Sequence, residues 1–455
     1  MDDTKGGILG ELYGGMSETH PEPGRVLITS PPAESSSTAL VRLKEDLGEV
    51  LVRSGFVVAQ YQTRDQELVA EVTLGSAVPL TQAPSVYASY DGWHMSVSDE
   101  PSHATYEMRN FNTITSLLTA SIAVSEVFRM RFGTELALSQ RTKAREGGLF
   151  DFVDPTLSFP LSLDFEGKTI SWFGCGSLAY AACFALRGIQ LGNVRFHMVD
   201  SDIMRQKNVR KYLGVHPEDL GRLKAAVLGE KLTRLGAAAE AFKFTLNAYS
   251  RKVNFQIPFA IVSTDTSISR RDLQAKLPKV VVNAWTSNDR TMLQAGAYRY
   301  EMSRGGACLV CQYREDVEGH PDLAELALRS KIDPLTFAEA IRENEPLPGK
   351  NVPENVAGLR FMEGYRTMCD AFQIPRENLR QEFSVPFVAG IGGALLAFTL
   401  VCEGSHLLED GEPLRNQLRF VLSPDLSYLF TDQAAQRADC ICTDQAYVQT
   451  YKEKW

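Results

Sequence analysis

The chain has 455 residues, 44% of them hydrophobic and 23% charged, with a formal charge of −9 at pH 7. That length predicts two to three domains with ample core, and an acidic balance without a long Lys/Arg run argues against nucleic acid as the main partner. Eight cysteines and a Met1–Gly7 start with no apolar signal region predict metal binding or catalysis rather than disulfides, and a cytoplasmic location.

Residues 1–20 lack periodicity and read as a flexible tail. Arg25–Thr29 reads as a strand, and Thr38–Arg53 as an amphipathic helix with apolar residues at helical spacing. Strands are expected at Gly55–Gln62, Glu67–Leu74 and Ser85–Ser96, then a helix at Thr113–Arg131. The Asp/Pro-rich segment Asp151–Pro160 separates this half from the next.

The second half opens with the strand Thr169–Phe173, the run Gly174-Cys-Gly-Ser-Leu-Ala179 and the small-residue helix Tyr180–Arg187. Strand, glycine turn and helix aim backbone N–H groups and a helix N-terminus at a phosphate. Gly174 allows the tight turn, Gly176 lets a phosphate approach the backbone, and Ala179 is the small residue at the helix–strand contact. A second strand, Val194–Val199, ends in Asp200-Ser-Asp202, and Asp200 is placed to accept hydrogen bonds from ribose hydroxyls. Asn208, Arg210, Lys211 and Lys224 follow. A plain dinucleotide site has no use for these extra cations, whereas a triphosphate that must release pyrophosphate does.

Further strands are expected at Lys243–Leu246, Phe259–Ser263 and Lys279–Asn283. Asp265 follows the second of these, where open α/β sheets bind ligands and where a carboxylate can hold Mg2+. Arg270 is either structural or a brace for Asp265. Tyr313 to about Pro386 is polar and helical, longer than a crossover needs. The apolar run Phe387–Val401 has fifteen residues, short of the roughly twenty that span a bilayer, and its Gly/Ala content suits a packed core. Asn112–Val124 also aligns without gaps to Ala389–Val401, with Ile114/Ile391, Leu118/Leu395, Ala120/Ala397 and Val124/Val401 in register. Either two apolar helices agree by chance or the first half is a degenerate copy of the second that lacks the glycine loop.

Cys308-Leu-Val-Cys311 and Cys440-Ile-Cys442 are two close pairs far apart in sequence, a pattern that staples a C-terminal segment with tetrahedral zinc. Cys175, Cys183 and Cys402 read as packing residues.

The ordered set of Gly-x-Gly, Asp200-x-Asp202, Asn208, Arg210, Gly221-Arg-Leu-Lys224 and Thr264-Asp265 resembles the ThiF/MoeB/HesA superfamily of adenylating enzymes, which includes the ubiquitin-activating enzymes. The resemblance covers about 210 residues, 168–311 and 387–455. It implies a Rossmann-like α/β adenylation domain with a mostly parallel sheet, preceded by a degenerate adenylation-like half and carrying a helical insertion. The expected boundaries are 21–155 for the inactive half, 156–311 with 387–455 for the active domain, and 312–386 for the insertion. It further implies that Gly174, Gly176, Asp200, Asp202, Asn208, Arg210, Lys211, Lys224 and Asp265 serve ATP and magnesium. The family places its arginine three residues after the asparagine; Arg210 lies two after Asn208 and Lys211 three after, so either cation can meet the phosphates.

Cys369 lies in the insertion, where ubiquitin-activating enzymes carry their catalytic cysteine, and Arg366 stands one helical turn before it. With two adenylation-like halves at this length, the chain looks most like activating enzymes of bacterial antiphage Bil-type operons. That resemblance implies a ubiquitin-like protein and a conjugating enzyme as partners, no membrane, and a homodimer as an option. Alternatives are a sulfur-carrier activator, a nucleotide-binding scaffold without turnover, and the generic NAD-dependent dehydrogenase, in which Lys224 and Asp265 have no evident task.

Overall fold

A computed structural model describes residues 24–31, 37–59, 68–100, 107–132, 145–148, 162–289, 292–313, 385–405, 417–422, 427–432 and 436–455. The 1–20 tail, Arg366 and Cys369 lie outside the described residues, as does all but the ends of the 312–386 insertion.

The first half contains β1 (Arg25–Thr29), α1 (Thr38–Arg53), β2 (Val57–Ala59), β3 (Leu68–Leu74), β4 (Ser85–Asp91), β5 (His94–Ser98), α2 (Thr113–Phe132) and β6 (Arg145–Gly148). Ser37 caps α1 by accepting from the Leu40 N–H at 3.1 Å, and Leu40, Leu43, Leu47, Val50 and Leu51 form its buried stripe. The expected strand Ser85–Ser96 is instead the hairpin β4–β5. The Asp91-Gly92 pair breaks it, with Gly92 in the left-handed region at φ +57°. The six strands lie in the order β2-β1-β3-β4-β5-β6, parallel up to β4 and antiparallel beyond.

The second half contains β7 (Ser162–Asp164), β8 (Thr169–Phe173), α3 (Ser177–Ala185), β9 (Gln190–Gly192), β10 (Arg195–Val199), α4 (Gln206–Lys211), α5 (Lys224–Arg234), β11 (Ala238–Phe242) and α6 (Leu246–Lys252). It continues with β12 (Phe259–Val262), α7 (Ser267–Ala275), β13 (Val280–Asp289), β14 (Met292–Glu301), α8 (Leu309–Gln312), α9 (Pro386–Gly404), β15 (Gln417–Leu422), β16 (Ser427–Asp432) and α10 (Gln445–Lys454). Its main sheet has eight strands in the order β11-β10-β8-β12-β13-β14-β15-β16. The first five are parallel and the rest antiparallel, so the fold is mixed α/β with mostly parallel sheets. The expected strand at Lys243–Leu246 is a loop leading into a helix. The strand ends at Phe242, and Thr245 caps α6 by accepting from the Ala248 N–H.

The two sheets share a plan. Matching β2-β1-β3-β4-β5-β6 to β10-β8-β12-β13-β14-β15 preserves strand order, strand polarity and the position of the long helix before the last strand. The aligned segments Asn112–Val124 and Ala389–Val401 fall on those two equivalent helices, α2 and α9.

Helices α2 and α9 pack side by side between the sheets, α2 on α1, β4 and β5, and α9 on α3, β13 and β14. Close approach requires small residues. A Cβ on Gly390 would sit 2.3 Å from Ser121 Oγ of α2, and one on Gly393 would sit 2.4 Å from Ala181 of α3. By length and hydropathy α9 could cross a bilayer, yet every residue of its apolar window is buried against the rest of the chain.

Candidate functional site

The glycine loop leaves the C-terminal end of β8, a central strand. Gly174 has φ +85°, and a Cβ there would lie 2.8 Å from the Ser263 carbonyl oxygen, so both conformation and space demand glycine. Ser263 donates to the Gly174 carbonyl at 2.6 Å and accepts from Trp172 Nε1 at 3.0 Å, which ties the loop to the end of β12. Gly176 is different. It is the N-cap of α3 with φ −91° and no side-chain capping bond, and a Cβ there would meet no atom within 4 Å. The helix therefore begins at Ser177, within the motif, and open space lies beside the Gly176 that caps it.

Asp200 follows β10, next along the sheet. One carboxylate oxygen accepts from the Cys175 N–H at 2.7 Å and the other from the Asp202 N–H at 2.8 Å. The residue thus shapes the glycine loop. Burial raises its pKa, against the opposing pull of Lys224.

Lys224 opens α5 and is buried, with Nζ 2.8 Å from Asp202 Oδ2 and its own N–H bonded to the Asp202 carbonyl. Burial works against its charge, but Tyr212, Asp200 and Asp202 outweigh it and hold the pKa above the ordinary lysine value. Here the chain keeps a charged ammonium in a half-buried ring of acids.

Tyr212 was not singled out by the sequence. Its hydroxyl accepts from Asn208 Nδ2 at 3.1 Å, and its ring lies 5.3 Å from that of Tyr180, whose hydroxyl donates to the Lys224 carbonyl. Burial pushes the Tyr212 phenol up to about 12, with Asp265, Asp200 and Asp202 reinforcing the rise and Lys224 opposing it. Four residues named from the sequence therefore act electrostatically on one hydroxyl. The signal was the i, i+4 spacing of Asn208 and Tyr212, which only a known helix makes legible.

Asn208 is buried and accepts from the Arg205 N–H at 2.9 Å, capping α4. The same short helix carries Arg210, exposed, and Lys211, partly buried. Asp265 is exposed at the end of β12, just before Thr266, the N-cap of α7. Buried Arg270 donates to the Thr264 carbonyl at 2.6 Å, the Ala284 carbonyl, Tyr313 and Asn283. It holds the backbone that precedes Asp265.

The four cysteines converge. Cys308 Sγ lies 3.4 Å from Cys440 Sγ and 3.9 Å from Cys311 Sγ, and Cys311 Sγ lies 3.5 Å from Cys442 Sγ. All four sulfurs are within 4.8 Å of one another and all four residues are buried. Tetrahedral zinc with Zn–S near 2.3 Å separates its sulfurs by about 3.8 Å, so this donor set fits that ion. The single residue inside Cys440-Ile-Cys442 suffices because Thr443 turns the chain back, its N–H and hydroxyl both donating to the Cys440 carbonyl. The cluster fastens α10, which reaches the base of the sheet through Tyr451 to the Lys279 carbonyl and Trp455 to the Leu277 carbonyl. Cys175, Cys183 and Cys402 are buried, and burial raises all three thiol pKa values, the latter two to about 12.

Residues 23–144 match the model of the BilD N-terminal domain family. An "Uncharacterized protein y4jF" of Sinorhizobium fredii is 21% identical over 407 residues, 84% of this chain and 76% of that protein. Among solved structures, E. coli MccB with succinimide is similar at a TM-score of 0.36 and 16% identity, covering 60% of this chain and 66% of that one, just under two thirds. The microcin C7 biosynthetic enzyme MccB with N-formylated MccA is similar at 0.38 and 14% identity, covering 79% and 98%. The family match spans β1 through α2, and the Gly174 loop lies outside it.

Proposed function

We propose that the chain is an ATP-dependent adenylating enzyme that activates the C-terminal carboxylate of a ubiquitin-like protein, captures it as a thioester on Cys369 and passes it to a conjugating enzyme. The observation that carries this reading is buried Lys224, paired with the exposed Asp202 beside a glycine loop closed by Asp200, with Asp265 at the neighbouring strand end. The BilD-type match at 23–144 supports the ubiquitin-like substrate class. Residues 21–155 are then the inactive copy, 156–311 and 387–455 the active domain, and 312–386 the insertion bearing the nucleophile. The matching strand orders support that division.

In this scheme the α3 N-terminus and the Gly176 backbone receive phosphate oxygens, while Asp200 accepts from the ribose. The substrate carboxylate, ionised at pH 7, attacks the α-phosphorus. The bond to the β-phosphate oxygen breaks and pyrophosphate leaves, its charge met by Lys224 and by Arg210 or Lys211. Asp265 would hold Mg2+, which supplies charge neutralisation between phosphates when bound. The Cys369 thiolate then attacks the acyl-adenylate carbonyl and AMP leaves. The four-cysteine set would hold zinc as a staple, away from these steps.

The test is a non-reducing gel of the protein with Mg-ATP and its ubiquitin-like partner, wild type against Cys369→Ala. A thiol-sensitive adduct lost in the variant is expected. ATP cleavage to AMP and pyrophosphate with no adduct would reject the thioester step, and absence of both would reject adenylation.

A further inference from the structure

Building on the adenylation reading, we infer that Arg53, braced by Glu49, is a positioning residue for the ATP site, contributed by the first half of the chain. Arg53 ends α1. Its Nη1 donates to the Val209 carbonyl, its Nη2 to the Val215 carbonyl at 2.6 Å, and its Nε to Glu49 Oε1 at 2.9 Å. That Glu49 oxygen also accepts from the Gly214 N–H at 2.9 Å. From the other side, Lys231 Nζ donates to the Gly214 carbonyl at 2.7 Å. Two side chains of α1 therefore grip the start and end of one stretch, Val209–Val215, and that stretch contains Arg210, Lys211 and Tyr212.

The stretch cannot hold this shape unaided. Helix α4 has six residues, its last helical bond runs from the Tyr212 N–H to the Asn208 carbonyl and leaves the Val209 carbonyl beyond it, and Gly214 turns the chain at φ +65°. Arg53 satisfies that carbonyl and another beyond the turn, which fixes the helix against its exit. The backbone so placed decides where the Arg210 and Lys211 cations stand and where Tyr212 meets Asn208. The planar guanidinium spreads its donors over three nitrogens and so reaches three separated acceptors, whereas a lysine ammonium keeps the charge but gathers its N–H groups on one nitrogen. Arg53 and Glu49 are mostly buried, at 14% and 26% side-chain exposure, so solvent does not replace these bonds.

The test uses the full chain in three forms: wild type, Arg53→Lys, and Val52→Ala as a control on the exposed neighbour. Mg-ATP affinity is measured by calorimetry, KM and kcat by ATP–pyrophosphate exchange, and amide hydrogen exchange along the chain. Losing about one charged hydrogen bond predicts roughly tenfold weaker ATP binding for Arg53→Lys, with KM for ATP affected more than kcat. Amide exchange should quicken over 206–216 and stay unchanged over α2, and Val52→Ala should match wild type. Unchanged ATP affinity despite faster exchange at 206–216 would overturn the inference, as would equal quickening over α2, which marks general loosening. Wild type that binds no Mg-ATP would refute the adenylation reading itself and this assignment with it.

Discussion

Asp46 of α1 and Arg187, just beyond α3, form an ion pair at 2.5 Å that joins the first half of the chain to the helix bearing the glycine loop. Asp46 has no exposed side-chain surface and also accepts from Ser116 of α2 at 2.8 Å. Burial dominates both partners, raising Asp46 and lowering Arg187 against their mutual attraction. The cost of burying each charge thus offsets much of their attraction, while each depends on the other being present.

Arg187→Met should accordingly destabilise the protein by roughly 3 kcal/mol at neutral pH, because the Asp46 carboxylate stays buried without its counter-ion. The sign with pH follows. Because the folded pKa of Asp46 is raised above 3.8, the folded state holds its proton longer than the unfolded one, and this group's contribution falls as pH rises through that window. Removing Arg187 raises the folded value further. The gap in melting temperature between wild type and Arg187→Met should be small in acid and widen with pH. A gap independent of pH would show that the lost packing of Arg187 on Phe184 is the larger effect.

The two loop glycines should separate fold from function. Gly174→Ala places a Cβ at positive φ and 2.8 Å from a backbone oxygen, so the melting temperature should fall along with activity. Gly176→Ala meets no protein atom and has an ordinary φ, so stability should hold within about 0.5 kcal/mol while the methyl obstructs an approaching phosphate. Calorimetric titration with Mg-ATP alongside thermal unfolding checks this. ATP binding by Gly176→Ala at wild-type strength would remove the phosphate from that loop.

Much of the site is written locally. The glycine loop, the acid after the next strand and the cysteine pairs each depend on spacing within one turn or one strand end, and the structure brings Gly174, Asp200, Asp202 and Lys224 together. What stayed hidden depends on contacts far apart in sequence. Arg53 and Val209 are 156 residues apart, and nothing near either marks the other. Strand β14 was missed because Met292–Glu301 is poor in β-branched residues. Its pairing with β13 over ten positions and its cover by α9 make it a strand. Tyr212 needed the helix, and the helix needed its clamp.

Lys224→Met keeps the buried stem and removes the cation. ATP–pyrophosphate exchange should fall by about 10²–10³-fold, the usual loss for one group that meets developing charge. The raised pKa keeps the ammonium charged, so its contribution to stability is present in full below the ordinary value of 10.5 and lost only as pH rises through the higher folded value. Wild type and variant should therefore keep a constant difference in melting temperature between about pH 6 and 9. A difference that shrinks within that range would show that Lys224 is losing its proton there, and the assignment of a charged lysine to the leaving pyrophosphate would fail.

The cysteine cluster makes the most physical prediction, since it needs no substrate. Wild-type protein should carry one zinc per chain, and Cys442→Ser should carry none or bind it far more weakly, because a tetrahedral structural site takes four ligands and the variant leaves three thiolates. Loss of the ion leaves the C-terminal helix held by Tyr451, Lys454 and Trp455 against the Lys276–Lys279 backbone. Those bonds alone should not keep α10 docked, so a strong chelator should shift Trp455 emission and speed proteolysis near residues 436–444. Metal analysis that finds no zinc in wild type, with Trp455 indifferent to chelator, would leave the four thiols as packed core. The pyrophosphate exchange rate of the chelated protein then reports whether the staple matters to the strand end that carries Asp265, since Arg270 reaches both the Thr264 carbonyl and Tyr313, just past Cys311.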